Sequence, residues 1–221
     1  STGTSTLSFT ATGGNVDTSA AAVDVVGIAA ALAGTETITV ASGTSISVSG
    51  GTDLTNLLTV AAKVPTATDN SVSVTIADDA AAGASGDFAA VTLNNFATAT
   101  LTAGDATTAS DIDNIIATGT DLTLALGARG FSTPGTVALG TGDLTITGSA
   151  AIDFTTNGIT AGSVDAGAST GAVTLDLIGA GTVGTVTTGS GNDDIDMTTA
   201  ARTAGDYTIV MGAGTDSLDV G

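Results

Sequence analysis

Short alternating runs return along this chain at a near-constant interval, and that recurrence constrains the fold more than any other feature. Asp121-Leu122-Thr123-Leu124 and Asp143-Leu144-Thr145-Ile146 are near copies 22 residues apart, and Asp165 lies a further 22 on. Asp193 and Asp216 are 23 apart, and each sits in a glycine-rich turn. Runs such as Thr35-Glu36-Thr37-Ile38-Thr39-Val40 and Ser71-Val72-Ser73-Val74-Thr75-Ile76 put branched apolar side chains on one face and hydroxyls on the other. Gly13-Gly14-Asn15, Gly50-Gly51-Thr52-Asp53 and Asn157-Gly158 separate such runs with turn chemistry. One short strand cannot bury its apolar face alone, but repeated units of this size bury it by stacking into a continuous core.

The pattern predicts an all-β chain, a parallel β-helix or β-solenoid with coils of about 22 residues. Residues 101–221 read as regular solenoid with glycine/aspartate turns. Residues 1–100 keep strand-like runs while the period fades, and read as a less regular solenoid or a β-rich cap. The 28-residue interval from Asp165 to Asp193 implies an insertion in that coil. Ala20 to Leu32 is the one stretch with the look of a helix of two or three turns, with Asp111 to Ile116 a weaker candidate. The Pro65 and Pro134 regions read as projecting loops.

Composition narrows the function. Three cations face 22 acidic residues, all aspartate except Glu36, for a net charge of −19. Such a chain repels nucleic acid and anionic lipid, and divalent cations or a basic partner are its natural counterweights. Without cysteine or histidine there is no thiol chemistry, no His-based triad and no common zinc site. Two carboxylates can hydrolyse a glycoside, but a sugar groove wants aromatic platforms, and five Phe and one Tyr are scattered here. The longest apolar stretch, Ala20 to Ala33, is too short to span a bilayer and contains Asp24. Catalysis and membrane insertion are not expected. The start at Ser1 and the abrupt end at Gly221 suggest a segment of a longer protein.

Aspartate on a short stem suits tight turns and hard, oxygen-ligated cations. Gly189-Ser190-Gly191-Asn192-Asp193-Asp194-Ile195 and Gly212-Ala213-Gly214-Thr215-Asp216-Ser217-Leu218 both match the G-x-G-x-D-x-U core of calcium-binding β-helix nonapeptides, U being a large apolar residue. Asp143-Leu144-Thr145-Ile146-Thr147-Gly148-Ser149-Ala150, then Ile159 to Asp165, then Val173-Thr174-Leu175-Asp176-Leu177, lead into these turns. Together this run, over roughly residues 120–221, resembles RTX-type bacterial surface-layer (S-layer) proteins.

The resemblance implies a secreted, extracellular protein of the cell surface that binds Ca²⁺ between coils and assembles with copies of itself into a lattice. Attachment to a cell-surface polysaccharide would then use regions outside this chain. Carried onto this sequence, it implicates the backbone carbonyls of Gly189, Gly191, Gly212 and Gly214 and the carboxylates of Asp193 and Asp216, with Asn192, Asp194 and Asp196 as supplements. Ile195 and Leu218 would point into the core. Each turn departs from the family by carrying Thr188 or Met211 where the glycine doublet begins, and only two copies occur. That favours a few sites between neighbouring coils over a long calcium ladder. A calcium-binding module of an RTX-type adhesin or of a secreted effector is the alternative.

Lesser candidates remain. Gly140-Thr141-Gly142-Asp143 and Gly50-Gly51-Thr52-Asp53 are one residue short of the motif and read as ordinary Asx turns. Asp78-Asp79 and the pair Asp111 and Asp113 read as exposed loop carboxylates. A flat Thr-rich face, to which Thr123, Thr145 and Thr147 would contribute, suits ice or glycan binding, but threonine is also a plain exposed strand residue, and that is the preferred reading.

Overall fold

A computed structural model describes residues 4–9, 14–21, 23–28, 35–49, 57–77, 87–103, 110–127, 131–132, 135–154, 158–177, 184–197 and 207–220. The candidates Gly50 to Asp53 and Asp78-Asp79, and Pro134, lie outside them. In chain order, β1 (Thr6–Phe9), β2 (Gly14–Asp17), β3 (Val25–Ile28), β4 (Glu36–Val40), β5 (Thr44–Ser49), β6 (Leu57–Ala62) and β7 (Ser71–Ala77) alternate between two faces. A third face then opens. It begins in the run β8 (Asp87–Phe88), β9 (Ala90–Asn94), β10 (Thr98–Ala103), β11 (Ser110–Ile112), β12 (Asn114–Ile116) and β13 (Asp121–Leu126). It continues through β14 (Phe131–Ser132), β15 (Thr136–Ala138), β16 (Leu144–Gly148), β17 (Ile152–Phe154) and β18 (Ile159–Thr160). The last strands are β19 (Ser163–Ser169), β20 (Val173–Asp176), β21 (Thr185–Thr187), β22 (Asp194–Asp196), β23 (Thr208–Val210) and β24 (Ser217–Asp219).

Every pairing is parallel. The result is a β-solenoid. Its spine is a ten-stranded sheet, β1-β3-β5-β7-β10-β13-β16-β19-β21-β23, passing through residue 100 without a break. A seven-stranded sheet from β2 to β18 forms a second face and ends there. The third face is β8-β11-β14, against which β17 lies before β17-β20-β22-β24 carries it onward.

Coil length follows from register. Thr123 pairs with Thr145, Asp165 with Thr187 and Thr187 with Val210, steps of 22, 22 and 23 residues. Ser45 to Ser73 and Ser73 to Thr100 are longer coils of 28 and 27. The extra length is taken up outside the strands. The interior is a set of aligned rows, one being Val26, Ile46, Val74, Leu101, Leu124 and Ile146, each at most 1% exposed. Ile38, Val60 and Leu93 form a buried row on the second sheet. Burying each such side chain contributes about 1.5–3 kcal/mol before the entropy of ordering is charged against it. Buried polar groups hold the corners: Asn70 Nδ2 donates to the Val64 and Asn95 carbonyls at 2.6 and 3.1 Å, and Thr120 Oγ1 to the Phe96 carbonyl at 2.8 Å.

Three expectations need correction. The stretch from Ala20 to Leu32 is not a helix where it is described. Val25, Val26 and Ile28 form β3, paired on both sides by β1 and β5, a setting that suits β-branched residues. Asp111 to Ile116 is likewise two short strands, β11 and β12, on different faces. Asp165 does not stack on Asp143. The register step from β16 to β19 is 20 residues at this point, so Asp165 pairs with Thr145, and the register shifts between Thr145 and Thr147.

Candidate metal centre

The two glycine turns are neighbours. Strands β20, β22 and β24 pair in register, Thr174 with Asp194 and Asp194 with Ser217, so the residues just before them also stack. The Val173 N–H donates to Asp193 Oδ1 at 2.9 Å, and the Asp193 N–H donates to Asp216 Oδ1 at 3.1 Å. Each aspartate therefore caps a backbone donor one coil earlier. The Asn192 side chain works in the other direction, its Oδ1 accepting from the Thr215 N–H at 2.9 Å.

Glycine is obligatory here for steric reasons. A methyl on Gly212 would lie 1.8 Å from the Gly189 carbonyl oxygen, and one on Gly214, where φ is +140°, would lie 2.0 Å from the Gly191 oxygen. Gly189 and Gly191 meet the Ser169 and Gly171 carbonyls in the same way, at 1.9 and 2.4 Å. The carbonyl of one coil thus occupies the space where the next coil would carry a Cβ. The Gly189 carbonyl also accepts from the Ala213 N–H at 2.9 Å. This contact holds the two coils together directly.

Asp193 is 1% exposed, and its Oδ2 is fully enclosed with no hydrogen-bond partner. A buried polar oxygen left unpaired costs about 1–3 kcal/mol, and more if charged. The Asp216 carboxylate, one coil away, adds like charge. Both features are what a hard cation relieves, and the donor type is right for calcium. Among the described residues, no group of three or more carboxylates converges as around a single ion. A cation at Asp193 would draw its other ligands from Asp216, backbone carbonyls of the glycine turns and water.

The other expected residues divide. Asp194 is exposed and faces away from Asp193's side of the strand, opposite Thr174 and Ser217. Ile195 is buried as expected, but Leu218, in register with it, is 43% exposed on the last described coil. The turn at Gly140 to Asp143 repeats the steric logic, since a methyl on Gly142 would meet the Thr120 carbonyl at 2.0 Å. There the Asp143 N–H donates to Asp121 Oδ1, and Asp143 Oδ1 accepts from Ser163 Oγ. One arrangement was not foreseen: Asp176, Asp196 and Asp219 stand in register on adjacent strands. Their spacings of 20 and 23 residues carried the signal, obscured by the many other aspartates.

At the opposite end, Asp17 is held down to about 2, from an ordinary 3.8, chiefly by the Ser19 hydroxyl and N–H and then by Lys63, whose Nζ is 3.1 Å away. Asp24 is lowered by the N–H and hydroxyl of Ser5, each 2.9 Å from its Oδ2. A cleft of about 220 Å³ beside it is lined by Ala21, Val23, Asp24, Ala41, Ser42, Gly43 and Thr44. Among the described residues that line it, Asp24 is the one titratable group. No family model, curated protein or solved structure matches the chain.

Proposed function

We propose that this chain is a structural, non-catalytic segment of a secreted surface-layer protein, a β-solenoid stabilised by Ca²⁺ and contributing lattice contacts between copies. The observation that carries the reading is the enclosed, partnerless Asp193 Oδ2 one coil from Asp216. Asp193 and Asp216 hold the ion between coils, and the stacked glycines keep the coils close enough for both to reach it. Bound calcium offsets like charge in a chain of net charge −19, which lowers repulsion both within the solenoid and between copies.

The test is a calorimetric calcium titration with parallel light scattering, with and without chelator. Calcium at a hundredfold excess over Kd stabilises the fold by about 2.7 kcal/mol. Asp193→Asn keeps the acceptor for the Val173 N–H and removes the charge, so its fold persists in chelator while most of the calcium gain disappears. Asp193→Ala and Asp216→Ala each lose the gain, and the double variant loses little more, because the two share one ion. Scattering that is identical with calcium and with chelator would remove the lattice role.

A further inference from the structure

We propose that the outward face of β5, β7, β10, β13 and β16 binds ice. Ser45, Ser73, Thr100, Thr123 and Thr145 are paired in register from strand to strand and form one straight row. Ser47, Thr75, Thr102, Ala125 and Thr147 form a second row two residues along. Nine of these ten positions carry a hydroxyl, the tenth a methyl, and none is charged, in a chain with 22 acidic residues. The regularity ends at identifiable places: Val25 and Gly27 follow on β3, and on β19 the next occupant of the first row is Asp165, with the register shifting before Thr147.

The face is therefore a lattice. Strands repeat at roughly 4.7–4.9 Å and alternate residues at roughly 6.4–6.8 Å, so the hydroxyls stand on a nearly rectangular grid. Among the described residues these hydroxyls have no hydrogen bond to the protein, and all ten side chains are half-buried rather than projecting. Their χ1 freedom is small for Thr, so the grid is held in advance of binding. A hydroxyl donates one hydrogen bond and accepts two, which suits a surface whose every molecule does both.

Chemistry excludes the competing occupants. A polysaccharide sheet calls for aromatic platforms, and the face has none. A second copy of the face would have to bury nine hydroxyls against nine others, at a desolvation cost for each one left imperfectly paired. An ice plane offers a fixed, uncharged, two-dimensional array of donors and acceptors. The outward side of the second sheet, by contrast, is broken by Ile116, Ala138, Asn94 and Asp17. This proposal is independent of the proposed calcium site, which lies in the turns just before β22 and β24.

The experiment measures ice recrystallisation and ice-crystal shape with the full chain in calcium. The wild type arrests recrystallisation and facets growing crystals. Thr100→Lys with Thr123→Lys abolishes both while circular dichroism stays that of the wild type, and Thr100→Val with Thr123→Val, which keeps shape and strand preference, weakens both. Thr59→Lys, outward on the second sheet, leaves activity intact. The proposal is overturned if the folded wild type leaves ice unaltered, if Thr59→Lys is as damaging as the pair on the face, or if the same face instead sediments the chain with crystalline cellulose or chitin.

Discussion

At the scale of single residues, this protein is governed by what a missing Cβ allows. Gly212 and Gly184 look alike in the sequence, yet a methyl on Gly212 would sit 1.8 Å from a backbone oxygen, whereas nothing lies within 4 Å of one on Gly184. Gly212→Ala must push two coils apart or shift the backbone, at a cost of about 1–3 kcal/mol or more. Gly184→Ala meets no obstruction and gains about 0.4–1 kcal/mol by restricting the unfolded chain. Urea unfolding of the two variants measures the difference, and similar midpoints would contradict the stacking geometry. The aspartates that follow the glycines act the same way, each reaching one coil back to a backbone N–H. The G-x-G-x-D pattern is thus first a device for closing coils upon each other. The proposed cation site is built on top of that closure.

At the scale of elements, the strands are interchangeable rungs whose value lies in alignment. Leu124 is flanked in register by Leu101 and Ile146, and all three are fully buried. Leu124→Ala opens a cavity bounded by two rungs that are themselves pinned by further rungs, so little collapse is possible. A loss of about 2–5 kcal/mol, toward the upper end, is expected from chemical denaturation. The alternation that builds these rows was legible in the sequence at β4, β7, β13 and β16, because period 2 with Val, Ile and Leu on one side has few other meanings. The repeat of Asp121 and Asp143 also translated directly into register. It failed at Asp165, where a shorter coil puts Ser163 beneath Asp143, since spacing alone cannot see an irregularity between strands. It failed at Ala20 to Leu32, where a largely apolar run interrupted by Asp24 and Gly27 hid β3, whose identity comes from neighbours on both sides and not from its own pattern. At the proposed metal centre the sequence indicated Asp193 and Asp216 as neighbours on adjacent coils, which their hydrogen bond bears out. It could not show that the glycines between them are demanded by packing, nor that one carboxylate oxygen is sealed away without a partner.

At the scale of the whole molecule, the principal contacts among the described strands run between adjacent coils, so stability is a sum of rung energies and interface energies along one axis. The ends have one neighbour instead of two, and Leu7 at one end and Leu218 at the other are 38% and 43% exposed, while their partners Val26 and Ile195 are fully buried. Hydrogen exchange should therefore be slowest in β7 to β16 and fastest at both ends. Calcium should slow exchange in β22 and β24 and leave β1 and β2 unchanged, and uniform protection along the chain would contradict a one-dimensional fold. The long coil between Ser45 and Ser73 points to a last consequence. It adds six residues to the 22-residue step seen at Thr123, yet the strands on either side stay in register. Its turn from Lys63 to Asp69 stands largely in solvent, closed behind by the hydrogen bonds of Asn70. The molecule is in this sense a ruler: a foreign peptide spliced after Pro65 would be carried at a set height along the axis, at a graduation of roughly 4.8 Å per strand.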